Sequence, residues 1–394
     1  MKILFVMSVG FDRRTPWEHL LTAIIEALYT KGHTVHIIQK NTSGPLPVLP
    51  DKLVELGVTT LAVKSKAPKK NNFIARYLLD LAYVCECKKH ISKKDGYEAV
   101  FVQSTNVAGA VMSLIRKKLG KNISITFTVQ DIFPYNAAFS GHLSESGPAF
   151  KFLASWQRLG YKRADNIITI SEDMKDLLVE DGVPSSKIEV VYNWSYRDEP
   201  YDVSKLDCSV ARSMFPKDKF NVVYAGNVGV MQNVEIVMDA AALMKGDGGV
   251  MFHIIGDGAY KEKLQRIAKE QQLKNVKFWD MLPSDLAPSI YATADVNVIP
   301  LVKNIYKTAL PSKTATCFAC GKPIIFCIGK ASKFAQMAKQ NTNCHCVESD
   351  DADGLKNAIL STYQECDSIL YAKFFAETLA RTRNSEKYAD IITK

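Results

Sequence analysis

Ala309-Leu310-Pro311-Ser312-Lys313, followed one helix later by Cys320-Gly321-Lys322-Pro323-Ile324-Ile325, is the segment that gives the architecture away. A proline-led helix start, a glycine stop and a short apolar strand make one helix-to-strand passage. The start also carries Ser312 and Lys313, so free backbone N–H groups and a cation meet where an anion can dock. Working outward, the same alternation of short apolar runs and amphipathic stretches continues in both directions. In the second half, strands are expected at 222–225, 251–255, 276–279, 296–300, 324–327 and 345–347, with helices near 234–244, 260–271, 286–293, 311–320, 331–340 and 352–365. In the first half they are expected at 3–7, 34–39, 59–63, 99–103, 124–129, 166–170 and 189–192, with helices near 16–31, 72–88, 107–119, 149–163 and 172–181. Strands separated by helices of this length pair in parallel through right-handed crossovers.

Residues 193–219 break the pattern with Pro200, Pro216 and many charges, the composition of a linker. A final helical segment, 368–392, has no strand after it. The expected fold is therefore α/β, with two doubly wound, Rossmann-like domains. The first spans 1–193 and the second 220–367, joined by the linker 194–219, and a C-terminal helix within 368–394 crosses back to the first domain. Sheets of this kind bind ligands outside the carboxyl ends of their strands, so a cleft between the domains is the expected active site.

Composition sets outer bounds. At 394 residues two domains are the default, and 47% hydrophobic with 23% charged residues is the make-up of a globular chain. No run approaches the ~18 apolar residues of a membrane span, and residues 3–7 are too short for a signal peptide. The expectation is a chain that starts at Met1 and stays in the cytoplasm. Nine cysteines, mostly in apolar runs, read as reduced thiols. Cys317 and Cys320 have CxxC spacing with no histidine beside them, so no metal is expected.

The net charge of +9 is unevenly spread: residues 64–94 hold nine basic and two acidic side chains, a net of +7. Lys69, Lys70, Lys88 and Lys89 flank a helix in which Ile74, Tyr77, Leu78, Leu81 and Val84 recur at helical spacing. Two readings stand side by side: a helix lying on an anionic membrane surface, or a core helix with solvated lysines at its ends. Nucleic acid is not expected as a partner, because no binding motif accompanies the charge.

Tyr224-Ala225-Gly226-Asn227-Val228-Gly229 ends the first strand of the second domain with a two-glycine turn, and Ile255-Gly256-Asp257-Gly258 repeats the device one strand later. Such turns let backbone approach a phosphate, or are simply tight turns. Asp257 reads as a cap for the next helix or as a partner for a base or ribose. Asp131, after an apolar strand, reads as a general base for an acceptor hydroxyl or as a cap ahead of Pro134. Asp12, Arg13 and Arg14 follow the first strand and either reach the cleft or belong to a surface loop. The acidic Asp351-Ala352-Asp353 lies at a helix start, where it suits the helix dipole better than a metal.

The order Y-A-G-N-V-G, I-I-G-D-G, A-D-V-N-V-I-P-L, L-P-S-K and C-G-K-P-I-I resembles the donor domain of family 4 glycosyltransferases, retaining nucleotide-sugar enzymes of the GT-B fold. The G-N-V-G turn with the P-S-K helix start is similar to the bacterial surface-polysaccharide branch that includes N-acetylfucosaminyl transferases. Lys2 to Val6 and Gln130-Asp131-Ile132-Phe133-Pro134 occupy the family's opening strand and its H-D-x-x-P segment. The resemblance implies a donor site made by Gly226, Asn227, Gly229, Gln232, Gly256, Asp257, Gly258, Pro311, Ser312, Lys313 and Thr316, with Asp131 and Lys313 carrying the chemistry. It implies no protein nucleophile, no metal and no cofactor.

The chain departs from the family pattern at several of these positions, which is also what supports the rival expectation of a silent subunit. Two glutamates separated by seven residues are usual before the G-K-P; Thr308 and Thr316 stand there. The family's diphosphate-neutralising Arg and Lys correspond to Asn227 and Gln232, and Gln130 stands where histidine is common. Lys313 thus becomes the leading counter-charge for a departing diphosphate, with Lys303 and Lys307 in reserve.

The resemblance as a whole implies transfer of an N-acetylated sugar from a UDP-sugar to a polyprenyl-(di)phosphate-linked sugar. That chemistry serves capsule or O-antigen biosynthesis, on the inner face of the plasma membrane. Arg13, Lys69, Lys70, Lys88 and Lys89 would meet the acceptor or the anionic membrane surface. A UDP-sugar 2-epimerase on the same fold and a catalytically silent partner subunit are the rival expectations.

Overall fold

The computed structural model describes residues 1–11, 17–42, 49–66, 73–362 and 368–394. They form two compact units: Met1–Asn193 with Arg381–Lys394, and Trp194–Ala380.

The first unit holds seven parallel strands: β1 (Lys2–Met7), β2 (Thr34–Asn41), β3 (Thr59–Lys64), β4 (Ala99–Val102), β5 (Ser124–Val129), β6 (Asn166–Thr169) and β7 (Ile188–Val190), in the order β3-β2-β1-β4-β5-β6-β7. The sequence pattern explains the centre of this sheet. Ile3, Leu4, Phe5, Val6 and Met7 are all buried, as an uninterrupted apolar run must be when helices cover both faces. Where β5 carries Thr126 and Thr128 instead, the C-terminal helix Arg381–Ile392 meets them. The Tyr388 hydroxyl lies 3.1 Å from Thr128 Oγ1, and Thr126 Oγ1 donates to the Ile391 carbonyl at 3.5 Å.

The second unit holds six parallel strands: β8 (Phe220–Ala225), β9 (Val250–Ile255), β10 (Val276–Trp279), β11 (Val296–Pro300), β12 (Ile324–Cys327) and β13 (His345–Val347), in the order β10-β9-β8-β11-β12-β13. Its core joins Val222 and Tyr224 of β8 to Phe252 and Ile254 of β9 and to Leu355 and Ile359 of the helix Ala352–Thr362. In both sheets the winding direction reverses beside the first strand, between β1 and β4 and between β8 and β11. The chain ends that follow those strands are where such sheets hold ligands.

Two segments differ from their sequence reading. Residues 194–219 are not a free tether. Trp194 is buried, the helix Ser209–Met214 forms, and Ala211, Met214 and Phe215 pack against Val223, Ile255 and Ile290. The last segment is not one helix either. It runs as Ser368–Phe374 and a π-helical turn Phe375–Leu379, becomes extended at Ala380, and restarts as Arg381–Ile392 in the first unit. Phe374, Phe375 and Leu379 are buried in one unit and Tyr388, Ile391 and Ile392 in the other, so the break falls where the apolar anchors change core.

Candidate functional site

At the carboxyl end of β8 the two glycine turns interlock. Gly226 N–H donates to the Ile255 carbonyl at 2.9 Å and Val228 N–H to the Asp257 carbonyl at 2.8 Å. A Cβ on Gly256 would lie 1.9 Å from the Gly226 carbonyl oxygen, and one on Gly258 would lie 2.2 Å from that of Val228. Gly256 and Gly258 are therefore glycine because one turn presses on the backbone of the other. Among the described residues, the amides of Asn227 and Gly229 keep no backbone acceptor. Asn227 Nδ2 donates to Gln232 Oε1 at 3.0 Å across Gly229, so these two neutral side chains engage each other.

Lys313 opens the short helix Lys313–Ala319 and turns its ammonium back toward β8. Nζ sits 3.8 Å from the centroid of the Tyr224 ring, is shielded from solvent, and has no hydrogen-bond partner among the described residues. A Cβ on Gly226, where φ is +141°, would stand 3.1 Å from it. The missing side chain of Gly226 is thus what admits the lysine to the turn. Desolvation pulls the Lys313 ammonium down to about 8. Tyr224 is itself held, its hydroxyl donating to the Asn227 carbonyl at 2.5 Å. Sequence reading chose Lys313 and missed Tyr224, which looked like one more apolar strand residue.

Pro311 and Ser312 precede the helix. The Thr314 amide is taken by the Pro311 carbonyl at 3.1 Å, while those of Ser312 and Lys313 find no backbone acceptor among the described residues. The helix has only one or two turns, so its dipole adds little and the ammonium is the main charge here. Thr316 Oγ1 lies 3.5 Å from Ser195 Oγ. Thr308 is fully buried, with its hydroxyl donating to the Ile305 carbonyl, and so faces no ligand. Lys303 is exposed and 3.8 Å from Asp350.

Asp257 is neither a cap nor free: its carboxylate accepts from Lys261 Nζ at 3.0 Å, which also reaches Asp280 at 2.8 Å. The helix Lys261–Glu270 begins without a side-chain cap. Asp351, in contrast, does cap its helix, accepting from Gly354 N–H at 2.7 Å.

In the first unit, a cavity of about 450 Å³ opens at the ends of β1, β2, β4 and β5. Ser8, Trp17, Lys40, Arg76, Asn106 and Asp131 line it, together with Asp80 and Asn136. Asp131 has no hydrogen-bond or ion-pair partner among the described residues and does not cap the helix Tyr135–Phe139. Solvent reaches its carboxylate through the cavity, yet protein surrounds it on most sides, and this desolvation pushes the carboxyl up to about 6. Asn136 Oδ1 is buried in the same wall and likewise lacks a partner among the described residues. Lys40 Nζ meets Asp80 at 2.6 Å, a closed ion pair. Gln130 is occupied structurally, exchanging hydrogen bonds with Asn193 at 2.7 and 3.1 Å and reaching the Tyr388 hydroxyl at 3.3 Å.

The basic helix is Phe73–Cys87, and its buried side follows the expected stripe only in part, at Val84 with Tyr77 and Leu81 half-buried. Tyr83, Val84 and Cys87 are buried, with Tyr83 donating to the Met7 carbonyl at 2.7 Å, while Leu78 is 59% exposed. A tyrosine hydroxyl and the carboxylate of Asp80 face inward because the sheet edge offers them polar partners, which hydropathy spacing does not register. Lys88 and Lys89 are exposed, with Lys89 2.8 Å from Glu86. Arg13, Lys69 and Lys70, with Asp12, Arg14 and the side chain of Ile74, lie outside the described residues. Among the described residues there is no metal-ligating cluster and no helix long and apolar enough to cross a membrane, and the eight described cysteines are free.

With this geometry in place, comparison with known proteins is direct. The model of Glycosyltransferase Family 4 matches residues 18–194, and that of Glycosyl transferases group 1 matches residues 219–365. A protein named as glycosyltransferase WbjE, from Pseudomonas aeruginosa, is 25% identical over 344 residues, 86% of this chain and 83% of that protein. One named as colanic acid biosynthesis glycosyl transferase WcaI, from Escherichia coli, is 25% identical over 223 residues, 55% of this chain and 54% of its own length. Among solved structures, Anabaena HepE in complex with UDP aligns over 100% of both chains with a TM-score of 0.71 at 15% identity. WaaG, a glycosyltransferase involved in lipopolysaccharide biosynthesis, aligns over 99% of both at 0.69 and 14%. At such identities the structural likeness speaks for the fold.

Proposed function

The chain belongs to the family 4 glycosyltransferases of GT-B fold, and on that premise we propose that it transfers an N-acetylated sugar from a UDP-sugar to a lipid-linked sugar acceptor in surface polysaccharide synthesis. The observation that carries the donor half is the Lys313 ammonium, shielded at the Gly226 turn with no carboxylate against it among the described residues. A buried cation without a counter-charge is costly, and a diphosphate supplies what it lacks. As the sugar–phosphate bond breaks, negative charge grows on the leaving UDP, and Lys313 stabilises it without a metal. Complexes of HepE with UDP and with UDP-glucose support this choice of nucleotide.

The acceptor half rests on the cavity of the first unit. Asp131, unpartnered and with its carboxyl raised to about 6, is mostly ionised at neutral pH yet basic enough to take the proton of an attacking hydroxyl. Asn136 Oδ1 offers that hydroxyl, or its neighbour, a second acceptor. With retention of configuration no protein nucleophile is assigned. Exposed Leu78, Lys88 and Lys89 on and beside the helix Phe73–Cys87 support contact with an anionic membrane, which would present a polyprenyl-linked acceptor.

Thermal unfolding in the presence of a panel of UDP-sugars tests the donor. The true donor should raise the melting temperature and release UDP only when acceptor is added, and a panel without effect refutes the reading. Conversion of the donor in the absence of acceptor would identify an epimerase instead. Unaltered binding of a Lys88→Glu/Lys89→Glu variant to anionic vesicles would remove these two lysines from membrane contact.

A further inference from the structure

We propose that Tyr224 is a positioning residue for the donor: its ring holds the Lys313 ammonium at the Gly226 turn without cancelling its charge, so that the full cation remains for an incoming diphosphate. This deepens the donor reading above and rests on it. A buried lysine needs something to hold it, and the usual holder is a carboxylate. A carboxylate here would neutralise the ammonium and repel the ligand. An aromatic face attracts a cation through its quadrupole and carries no net charge.

The surroundings fit that role. Nζ lies 3.8 Å from the Tyr224 centroid and has no hydrogen-bond partner among the described residues. Among the described residues, the titratable groups beside it are neutral: the Cys317 thiol one helical turn on is pushed up to about 12 by burial, and the Tyr224 phenol is raised well above its ordinary value by burial. The ring cannot turn away, since Tyr224 is fully buried and its hydroxyl is tied to the Asn227 carbonyl. Gly226 completes the seat by leaving room for the ammonium. Strand, turn and helix therefore converge on one charge and leave it unspent.

Calorimetric binding of UDP and of uridine to the full chain separates the phosphate contribution from that of the nucleoside. Replacing Tyr224 by phenylalanine, and then by phenylalanines of increasing ring fluorination, keeps the volume nearly constant while draining the ring quadrupole. The UDP-to-uridine affinity ratio should survive Tyr224→Phe and then fall stepwise, by roughly ten- to thirtyfold across the series. In a Lys313→Met background the same series should leave the ratio flat. A ratio that ignores fluorination, or rises with it, overturns the proposal while the donor reading stands. If the wild-type chain shows no preference for UDP over uridine, the donor reading itself fails, and this inference with it. NMR titration of ε-carbon-labelled lysine gives a second readout without ligand. The Lys313 midpoint should drop by roughly one pH unit along the series, and an unmoved or raised midpoint counts against the ring.

Discussion

Lys40 in the first unit and Lys313 in the second are both enclosed near the carboxyl edge of a parallel sheet, and they are held in opposite ways. Lys40, 7% exposed, meets Asp80 at 2.6 Å, whose side chain is 13% exposed. Lys313 Nζ lies 3.8 Å from an aromatic ring and has no hydrogen-bond partner among the described residues. The first arrangement cancels its charge and clamps the helix Phe73–Cys87 to β2. The second keeps its charge and gives the fold little in return. On the proposed reading, the carboxylate partner spends the charge of Lys40 within the fold, whereas Lys313 keeps its charge for a ligand.

The contrast can be broken most forcefully at the closed pair. Asp80→Ala leaves Lys40 buried and unpaired and should cost about 3–5 kcal/mol in denaturant unfolding. A loss below about 1 kcal/mol would mean that the pair is held loosely, as surface pairs are. Next comes Asp131, the carboxylate proposed as the base. Asp131→Asn should lower kcat/KM about 10²- to 10⁴-fold. kcat/KM of the wild type should rise with pH through about 6, as Asp131 ionises, and fall above about 8, as the empty Lys313 site loses its proton. The asparagine variant should lose only the acidic limb, and a profile that keeps it would move the base elsewhere.

The finest test lies in the sign of a stability change. The Lys313 ammonium titrates near 8 in the folded chain and about 10.4 when unfolded, so below pH 8 the folded state bears the cost of a desolvated charge. Stability should accordingly rise as pH climbs from 8 toward 10. Lys313→Met should abolish that rise and stabilise the fold by roughly 1–3 kcal/mol at pH 7. It should at the same time cut turnover about 10²- to 10³-fold. Destabilisation by Lys313→Met would make the lysine structural, like Lys40, and dissolve the distinction.

Much of the architecture was legible from residue order. Short apolar runs spaced by amphipathic stretches specify parallel strands and crossover helices, and the described residues hold thirteen parallel strands in two sheets. The glycine turns and the Leu310-Pro311-Ser312-Lys313 corner were likewise visible as local chemistry. What spacing could not reveal was partnership. Asp257 looked like a cap or a ligand contact; it pairs with Lys261 instead of capping, and stays exposed. The stripe on the helix Phe73–Cys87 read equally as a membrane-facing or a core-facing side, and the fold divides it: Leu78 is exposed, Val84 is buried, and Tyr83 and Asp80 outside the stripe turn to the sheet.

Sequence alone determined the two-sheet plan, the turn at Gly226 and the presence of a cation at position 313, because each depends on neighbours along the chain. Only the tertiary structure decided that Tyr224, 89 residues earlier, lies beneath that cation, that Gly256 is glycine for the sake of Gly226, and that among the described residues Asp131 stands unpaired while Asp80 does not. Charge, burial and close approach are set by which distant segments the fold brings together, and those distances are not written in the spacing of residues.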